Sequence, residues 1–260
     1  MYPKDQWYEA ITFRRSRRAF QNREIPDPLI KNLQRLCQEF RFPEARAAMV
    51  LKPADEIFKG ILGSYGKIKG APAYIAFIGN TGYPYFQEKV GYLGEGVILE
   101  ATGLGLSTCW VGGFFKPDVL AEHLSLACGE KVLAVTPVGY SREDYSLGEK
   151  VMSGMVKGKK RKALAEMTEG LAEVHWPRWI KTALEAARLA PSAVNRQPWR
   201  FKVEPEQITL LLDSMEDTYQ ISKRLDCGIA MLHLELGARA AGVSGNWEYP
   251  GEQAVGIFTL

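Results

Sequence analysis

The 260-residue chain sets 33 lysines and arginines against 30 aspartates and glutamates, is 46% hydrophobic and carries a formal net charge of +3. That composition can bury a core, and the charge is too weak to argue for a nucleic-acid partner. No apolar run approaches the ~18 residues of a membrane span, and the first twenty residues lack a signal-type apolar run, so a cytoplasmic protein without membrane contact is expected.

Trp7 opens a short amphipathic helix. It runs into Phe13-Arg14-Arg15-Ser16-Arg17-Arg18-Ala19-Phe20, four arginines around one serine between two phenylalanines. Guanidinium groups and a hydroxyl bind phosphate through charge-assisted, bidentate bonds, though a solvated basic loop has the same composition. Asp27 and Pro28 start a helix to about Phe40, with Asp27 as its cap and Leu29, Leu33, Leu36 and Phe40 as its apolar stripe. Residues 47–51 read as a strand, 55–62 as a short helix, and 63–70 as a glycine-rich loop without the GK[ST] ending of a P-loop. Residues 73–78 form a buried strand. Residues 86–106 read as one long central helix, apolar on several sides, in which Gly91, Gly94 and Gly96 permit close packing. An extended loop at 106–114, a short helix at 117–126 and a strand at 131–140 follow. Residues 141–158 are a polar, glycine-dotted connection, and Lys159-Lys160-Arg161-Lys162 is a charge run of the kind found in linkers.

Residues 179–189 have helical spacing, 199–203 and 208–212 read as strands, 226–241 as a second long apolar helix and 255–260 as a last strand. Between the first two lies Ala190-Pro191-Ser192-Ala193-Val194-Asn195-Arg196-Gln197-Pro198-Trp199. The prolines restrict its backbone, and Ser192, Asn195 and Gln197 offer donors and acceptors without charge. That suits a polar, planar ligand such as a flavin ring, and an ordinary helix-to-strand turn would look alike. The four cysteines, Cys37, Cys109, Cys128 and Cys227, form no CxxC pair and read as reduced thiols. His123, His175 and His233 lack ligand spacing, so no metal site is expected.

The two long helices echo each other at an offset of 137. Gly91 matches Gly228, Ala101 matches Ala238, Gly105 matches Gly242, Ser107 matches Ser244 and Trp110 matches Trp247. Two diverged repeats of this kind would pack as a pseudo-two-fold pair with their central helices face to face. The halves are unequal. Only the first holds the arginine-rich stretch and only the second holds the 190–199 loop, so one site would be assembled from unlike parts.

Together these segments resemble the flavin-dependent nitroreductase family. The arginine-serine stretch, the 190–199 loop and residues 91–113, with their Gly-Leu-Gly-Leu-Ser-Thr-Cys-Trp-Val-Gly ending, carry the resemblance; Lys160-Arg161-Lys162-Ala163-Leu164 is a weaker match. The resemblance spans nearly the whole chain and implies an α+β, nitroreductase-like fold with FMN between two subunit-like halves. It implies NAD(P)H as co-substrate and a nitroaromatic, quinone or similar small acceptor, reduced in ping-pong order. The flavin carries such chemistry, so no catalytic acid or base is named. By the same resemblance Arg14, Ser16 and Arg18 contact the phosphate or the polar edge of the flavin, Arg15 contributes mainly backbone, and Lys160 and Arg161 help hold the phosphate. Pro191, Ser192, Ala193, Asn195 and Gln197 contact the ring, Trp110, Val111, Gly112 and Gly113 lie along it with backbone amides near its redox-active nitrogen, and Lys67 is a weaker candidate. The family places both motifs in every subunit of a homodimer. Here they divide between halves 1–158 and 159–260, which points to a fused pseudo-dimer acting as a monomer with one flavin site. The segment 40–45 stands where a second loop would be and lacks its Asn and Gln. An FMN-binding protein of this fold without NAD(P)H turnover, or with another flavin task, is the alternative; a nucleic-acid binder is a third reading, against which the small net charge stands.

Overall fold

The computed structural model describes residues 2–58, 68–142, 160–218 and 221–260. Helix α1, Trp7–Phe13, leads to α2, Asp27–Glu39, which buries Leu33, Leu36 and Cys37. Asp27 does not cap α2: Pro26 takes the cap position and Asp27 is already helical, without a side-chain cap bond. Strand β1, Ala45–Val50, and strand β2, Ala73–Asn80, flank a short α3, Asp55–Phe58. The rest of the helix expected at 55–62, most of the glycine-rich loop with Lys67, and the connection from 143 to 159 lie outside the described residues. Helix α4, Phe86–Gly103, ends three residues short of expectation, because Gly105 turns the chain left-handed at φ +76°. Strand β3, Ser107–Thr108, helix α5, Pro117–His123, and strand β4, Glu130–Gly139, complete the first half.

The second half contains β5, Thr168–Gly170, α6, Arg178–Arg188, β6, Trp199–Glu204, and β7, Gln207–Leu212. Helix α7, Lys223–Ala240, then β8, Asn246–Glu248, and β9, Ala254–Thr259, follow. The pieces missed from sequence are β3, β5 and β8, two or three residues each and too short to carry a period.

The first sheet has the order β1-β2-β4-β3 and the second β5-β6-β7-β9-β8. Apart from the parallel β5–β6 edge, every pairing is antiparallel, so the two sheets share one order. Strand β2 is apolar on both faces because both are covered. Ile75 and Phe77 face the main core with α4 and α7, while Tyr74, Ala76 and Ile78 face a smaller core with Ile57 of α3 and Leu120 of α5. Strand β6 alternates instead, burying Trp199, Phe201 and Val203 and leaving Lys202 exposed.

Helices α4 and α7 pack face to face. Adding 137 to the bounds of α4 gives those of α7 (86 + 137 = 223 and 103 + 137 = 240). Their closest approach is isologous. A Cβ on Gly91 would press on the backbone of Leu225, and one on Gly228 would press on that of Glu88, with 88 + 137 = 225 and 91 + 137 = 228. Only glycine lets two helix backbones come this near. Polar links run along the seam from Ser222–Gln87 (2.7 Å) to His233–Glu95 (2.9 Å). Both numbers rise together, so the two helices run in the same direction. Among the described residues no helix is long and apolar enough to cross a membrane.

Candidate functional site

The arginine-serine stretch leaves α1 as an extended segment that makes isolated bridges with its neighbours. The Arg17 N–H donates to Thr108 O (2.8 Å), the Phe20 N–H to Lys69 O (3.0 Å) and the Gln21 N–H to Tyr140 O (2.8 Å), so the segment runs along the β3 edge of the first sheet. Phe20 is buried in this course, whereas Phe13 is 75% exposed. Arg15 is exposed and spends its Nη1 on Arg14 O and Thr12 O (2.7 and 2.8 Å). Arg14 turns inward and is only 8% exposed, yet its Nε and Nη1 make no hydrogen bond among the described residues. Its nearest anion, Glu95 Oε1, is 3.6 Å from Nε. Ser16 and Arg18 are half-buried beside it in sequence.

The 190–199 loop meets the basic stretch before it. The Arg161 Nη1 donates to Asn195 Oδ1 (2.6 Å) and its Nη2 to Leu189 O (3.2 Å). The Asn195 and Gln197 amides both donate to Lys160 O (2.8 and 3.3 Å), and Gln197 Oε1 accepts the Lys162 N–H (2.8 Å). Lys160 therefore offers the loop its carbonyl while its side chain stays exposed. The Ser192 hydroxyl turns into its own loop, accepting the Gln197 N–H (2.9 Å). Ala193 and Gln197 are buried, and Pro191 is half-buried. The polar side chains expected at a flavin ring thus also tie the loop to 160–162.

Charge joins the two halves. Burial first, and then the neighbouring charges of Arg14, Arg188 and Arg15, lower the Arg161 guanidinium to about 10. Arg14 and Arg15 come from the first half and Arg161 and Arg188 from the second. Four guanidiniums in one another's field, one of them buried with open donors, repel until an anion joins them. Through Arg161 the structure brings Arg14 and Asn195 to one place, 181 positions apart (195 − 14).

The 110–113 turn supplies the third side. The Trp110 indole donates to Glu95 Oε2 (2.6 Å) and lies over Gly94, where a side chain would displace it. Val111 exchanges both backbone bonds with Val135 (2.9 Å each), so its amide is committed to the sheet rather than open to a ligand. The Gly112 and Gly113 N–H groups make no hydrogen bond among the described residues. A Cβ on Gly112 would lie 3.3 Å from Ile221, whose carbonyl also accepts Arg196 Nη2 (2.9 Å); the turn and the 190–199 loop therefore meet at Ile221.

Four residues that matter here were not singled out from sequence. Glu95, fully buried on α4, joins Arg14, Trp110 and His233. His233 Nδ1 faces Ala186 O (3.1 Å), a bond that needs a proton on Nδ1, and its Nε2 lies 2.9 Å from Glu95 Oε1. Asp226, at the start of α7, accepts the Ala193 N–H (3.1 and 3.2 Å) and Arg196 Nε (2.7 Å). Arg188 joins the cationic group. The signal for the two acids and the histidine was available: a polar group inside an apolar helical run must find a partner.

Two sheets of like strand order on paired central helices, with a group of arginines beside the 190–199 loop, define the class of molecule. The family model described as "Putative TM nitroreductase" matches residues 6–238, and the chain belongs to that family. A crystal structure from Thermotoga maritima described as "a putative nitroreductase" shares the fold at a TM-score of 0.67, covering 98% of this chain and 93% of the other at 22% identity. A curated Mycobacterium tuberculosis protein named "Putative NAD(P)H nitroreductase acg" is 35% identical over 74 residues, 26% of this chain; the match spans only 22% of that protein's length. A Bacteroides fragilis nitroreductase with bound FMN aligns at a TM-score of 0.43 and 18% identity, covering 55% of this chain and 92% of that one.

Proposed function

We propose that this chain is an FMN-dependent oxidoreductase that passes electrons from NAD(P)H to a nitroaromatic, quinone or similar small acceptor, the two taking turns at one site. The observation that carries the reading is the Arg14 guanidinium, buried with Nε and Nη1 open and set among Arg15, Arg161 and Arg188. That donor set fits the phosphate of FMN or the polar edge of its ring. Arg14, Ser16, Arg18, Lys160 and Arg161 would hold these groups, with Arg15 serving through its backbone. Pro191, Ser192, Ala193, Asn195 and Gln197 would line the ring from the second half, and Trp110, Val111, Gly112 and Gly113 from the first. The open amides of Gly112 and Gly113 suit the redox edge better than the committed amide of Val111. FMN, when bound, supplies the redox chemistry; the chain binds, orients and sets the charge around it.

The shared strand order and the isologous Gly91–Gly228 seam support reading 1–158 and 159–260 as two fused halves that act as one 29.1 kDa monomer. Light scattering checks this, and a tight dimer would refute it. Titration of purified protein with FMN, followed by flavin fluorescence, tests the cofactor: saturable quenching is expected, and its absence sinks the reading. Stopped-flow mixing with NADH and NADPH tests the donor. A bound flavin that neither reagent bleaches would move the protein to another flavin task.

A further inference from the structure

Asp226 lies directly behind the 190–199 loop and is 2% exposed. Its carboxylate accepts the Ala193 N–H and Arg196 Nε, and Arg196 reaches on to Thr218 O, Thr218 Oγ1 and Ile221 O (2.9 Å each). Around these anchors the backbone is left-handed at three non-glycine residues: φ is +46° at Val194, +57° at Asn195 and +48° at Gln197. The left-handed region is costly for residues other than glycine and asparagine, and a β-branched valine is the least suited. A shape of this kind persists only where its surroundings over-determine it.

The molecule holds its own comparison. The counterpart of Asp226 is Lys89 (226 − 137), and the segment beside Lys89 is 40–45, which follows α2 as the 190–199 loop follows α6. The Lys89 ammonium lies 4.7 Å from the Phe42 ring centroid and 4.3 Å from that of Tyr249. An ammonium accepts no hydrogen bond, so it cannot gather backbone N–H groups. There the chain closes as a short turn, Phe42 and Ala45 exchanging backbone bonds (2.8 and 3.2 Å), with no positive φ in 40–45.

We propose that Asp226 is a positioning residue for the flavin loop: through Ala193 and Arg196 it holds 193–197 in the left-handed shape on which cofactor affinity depends. The cofactor part rests on the FMN reading above. The hold is pH-sensitive. Burial, opposed by Arg196 and the Ala193 amide and helped by Asp217, leaves the Asp226 carboxyl raised to about 6. Cys227, next on the same helix, is neutral in this range, its thiol pushed well up by burial. As pH falls through 6, the carboxylate that Ala193 and Arg196 need becomes protonated and the loop loosens.

The test compares wild type with Asp226→Asn, which keeps size and one acceptor but removes the charge. Hydrogen exchange of 190–199 at pH 8 reads the loop without cofactor, and protection in D226N is expected to fall at least about tenfold. FMN affinity at pH 8 is expected to fall at least about tenfold as well. The FMN phosphate itself takes up a proton near pH ~6. The pH profile is therefore read as the difference between the two proteins, which should shrink as pH falls from 8 to 5. Equal loop protection overturns the proposal, as does equal FMN affinity with parallel profiles. If neither protein binds FMN, the cofactor reading fails and the exchange data alone decide whether Asp226 holds the loop. Should D226N not fold, wild-type loop protection between pH 8 and 5, corrected for intrinsic exchange, decides it: a loss through pH 6 supports the hold and constancy overturns it.

Discussion

Replacing Gly228 with alanine would set a Cβ 2.8 Å from the Glu88 carbonyl carbon and 2.9 Å from its Cα, with the carbonyl oxygen nearer still. Carbon atoms rest about 3.5–4.0 Å apart, and with the oxygen nearer still α4 and α7 must separate by at least about 1 Å at this point. The obstacle is backbone, so no rotamer change relieves it. Overpacking costs about 1–3 kcal/mol, and the upper end applies here; the better helix propensity of alanine returns at most ~1 kcal/mol. A net loss of about 2 kcal/mol lowers the thermal midpoint by roughly 4–8 °C. Gly91→Ala should cost a similar amount, since its Cβ would lie 3.0 Å from both Leu225 C and Ile229 N. The double variant should cost less than the sum, because helices already pushed apart for one methyl have room for the other. Gly103, with nothing within 4 Å of its Cβ position, is the control, and its counterpart is already Ala240 (103 + 137). Gly103→Ala should be neutral or stabilising by up to ~1 kcal/mol. Thermal unfolding followed by far-UV circular dichroism measures all four variants. An unchanged or raised midpoint for G228A, or strict additivity in the double variant, would refute the shared seam.

Arg14→Met should weaken FMN binding at least about tenfold and, because it leaves buried Glu95 without its ion-pair partner, should lower rather than raise the stability of the cofactor-free protein; FMN titration and denaturation read the two effects. Trp7→Phe should cost about 1.5–3 kcal/mol, because Trp7 is 1% exposed and its indole donates to Glu100 Oε2 at 2.6 Å. Chemical denaturation measures that loss, and an unchanged midpoint would show that the bond contributes nothing. For Asp226, raised from 3.8 to about 6, the folded state binds the proton more tightly than the unfolded. Its contribution is fully present below pH ~4 and is lost as pH rises through 6, about 3 kcal/mol in all. The stability of D226N relative to wild type should therefore improve between pH 4 and 7.5, and denaturation curves at both ends check the sign.

The long helices were legible because their apolar runs and glycines repeat at one offset, and because burial on all sides leaves a composition that no surface helix has. The alternation of Trp199, Phe201 and Val203 likewise marked a one-sided strand. Other features were hidden for physical reasons. That the Gln197 amide also serves the backbone at 160–162 was not legible. Neighbouring polar segments satisfy each other, and sequence order does not say which ones meet. Glu95 and Asp226 announce only that they need partners. The partners Arg14 and Arg196 lie 81 and 30 positions away (95 − 14 and 226 − 196), so they come from the fold. The left-handed backbone at Val194 goes against local preference altogether, as expected where tertiary contacts override propensity.

A symmetric frame can carry an asymmetric site if only the charges differ. Both counterpart tryptophans donate to a carboxylate on the long helix of their own half, Trp110 to Glu95 at 2.6 Å and Trp247 to Glu235 at 2.9 Å. The acid in the second half has moved along by about one turn, because 95 + 137 is 232. Glu95 therefore meets a cation, Arg14, and a histidine, while Glu235 meets the Tyr92 hydroxyl (2.7 Å). Burial pushes the Glu235 carboxyl and the Tyr92 phenol up and the Lys89 ammonium down. All three shifts disfavour charge there, and that side closes as an aromatic-rich network. On the other side Glu95 has one open cation in front of it and three more guanidiniums beyond. The guanidiniums of Arg14, Arg15, Arg161 and Arg188 thus concentrate positive charge on the side that carries the arginine-serine stretch and the 190–199 loop.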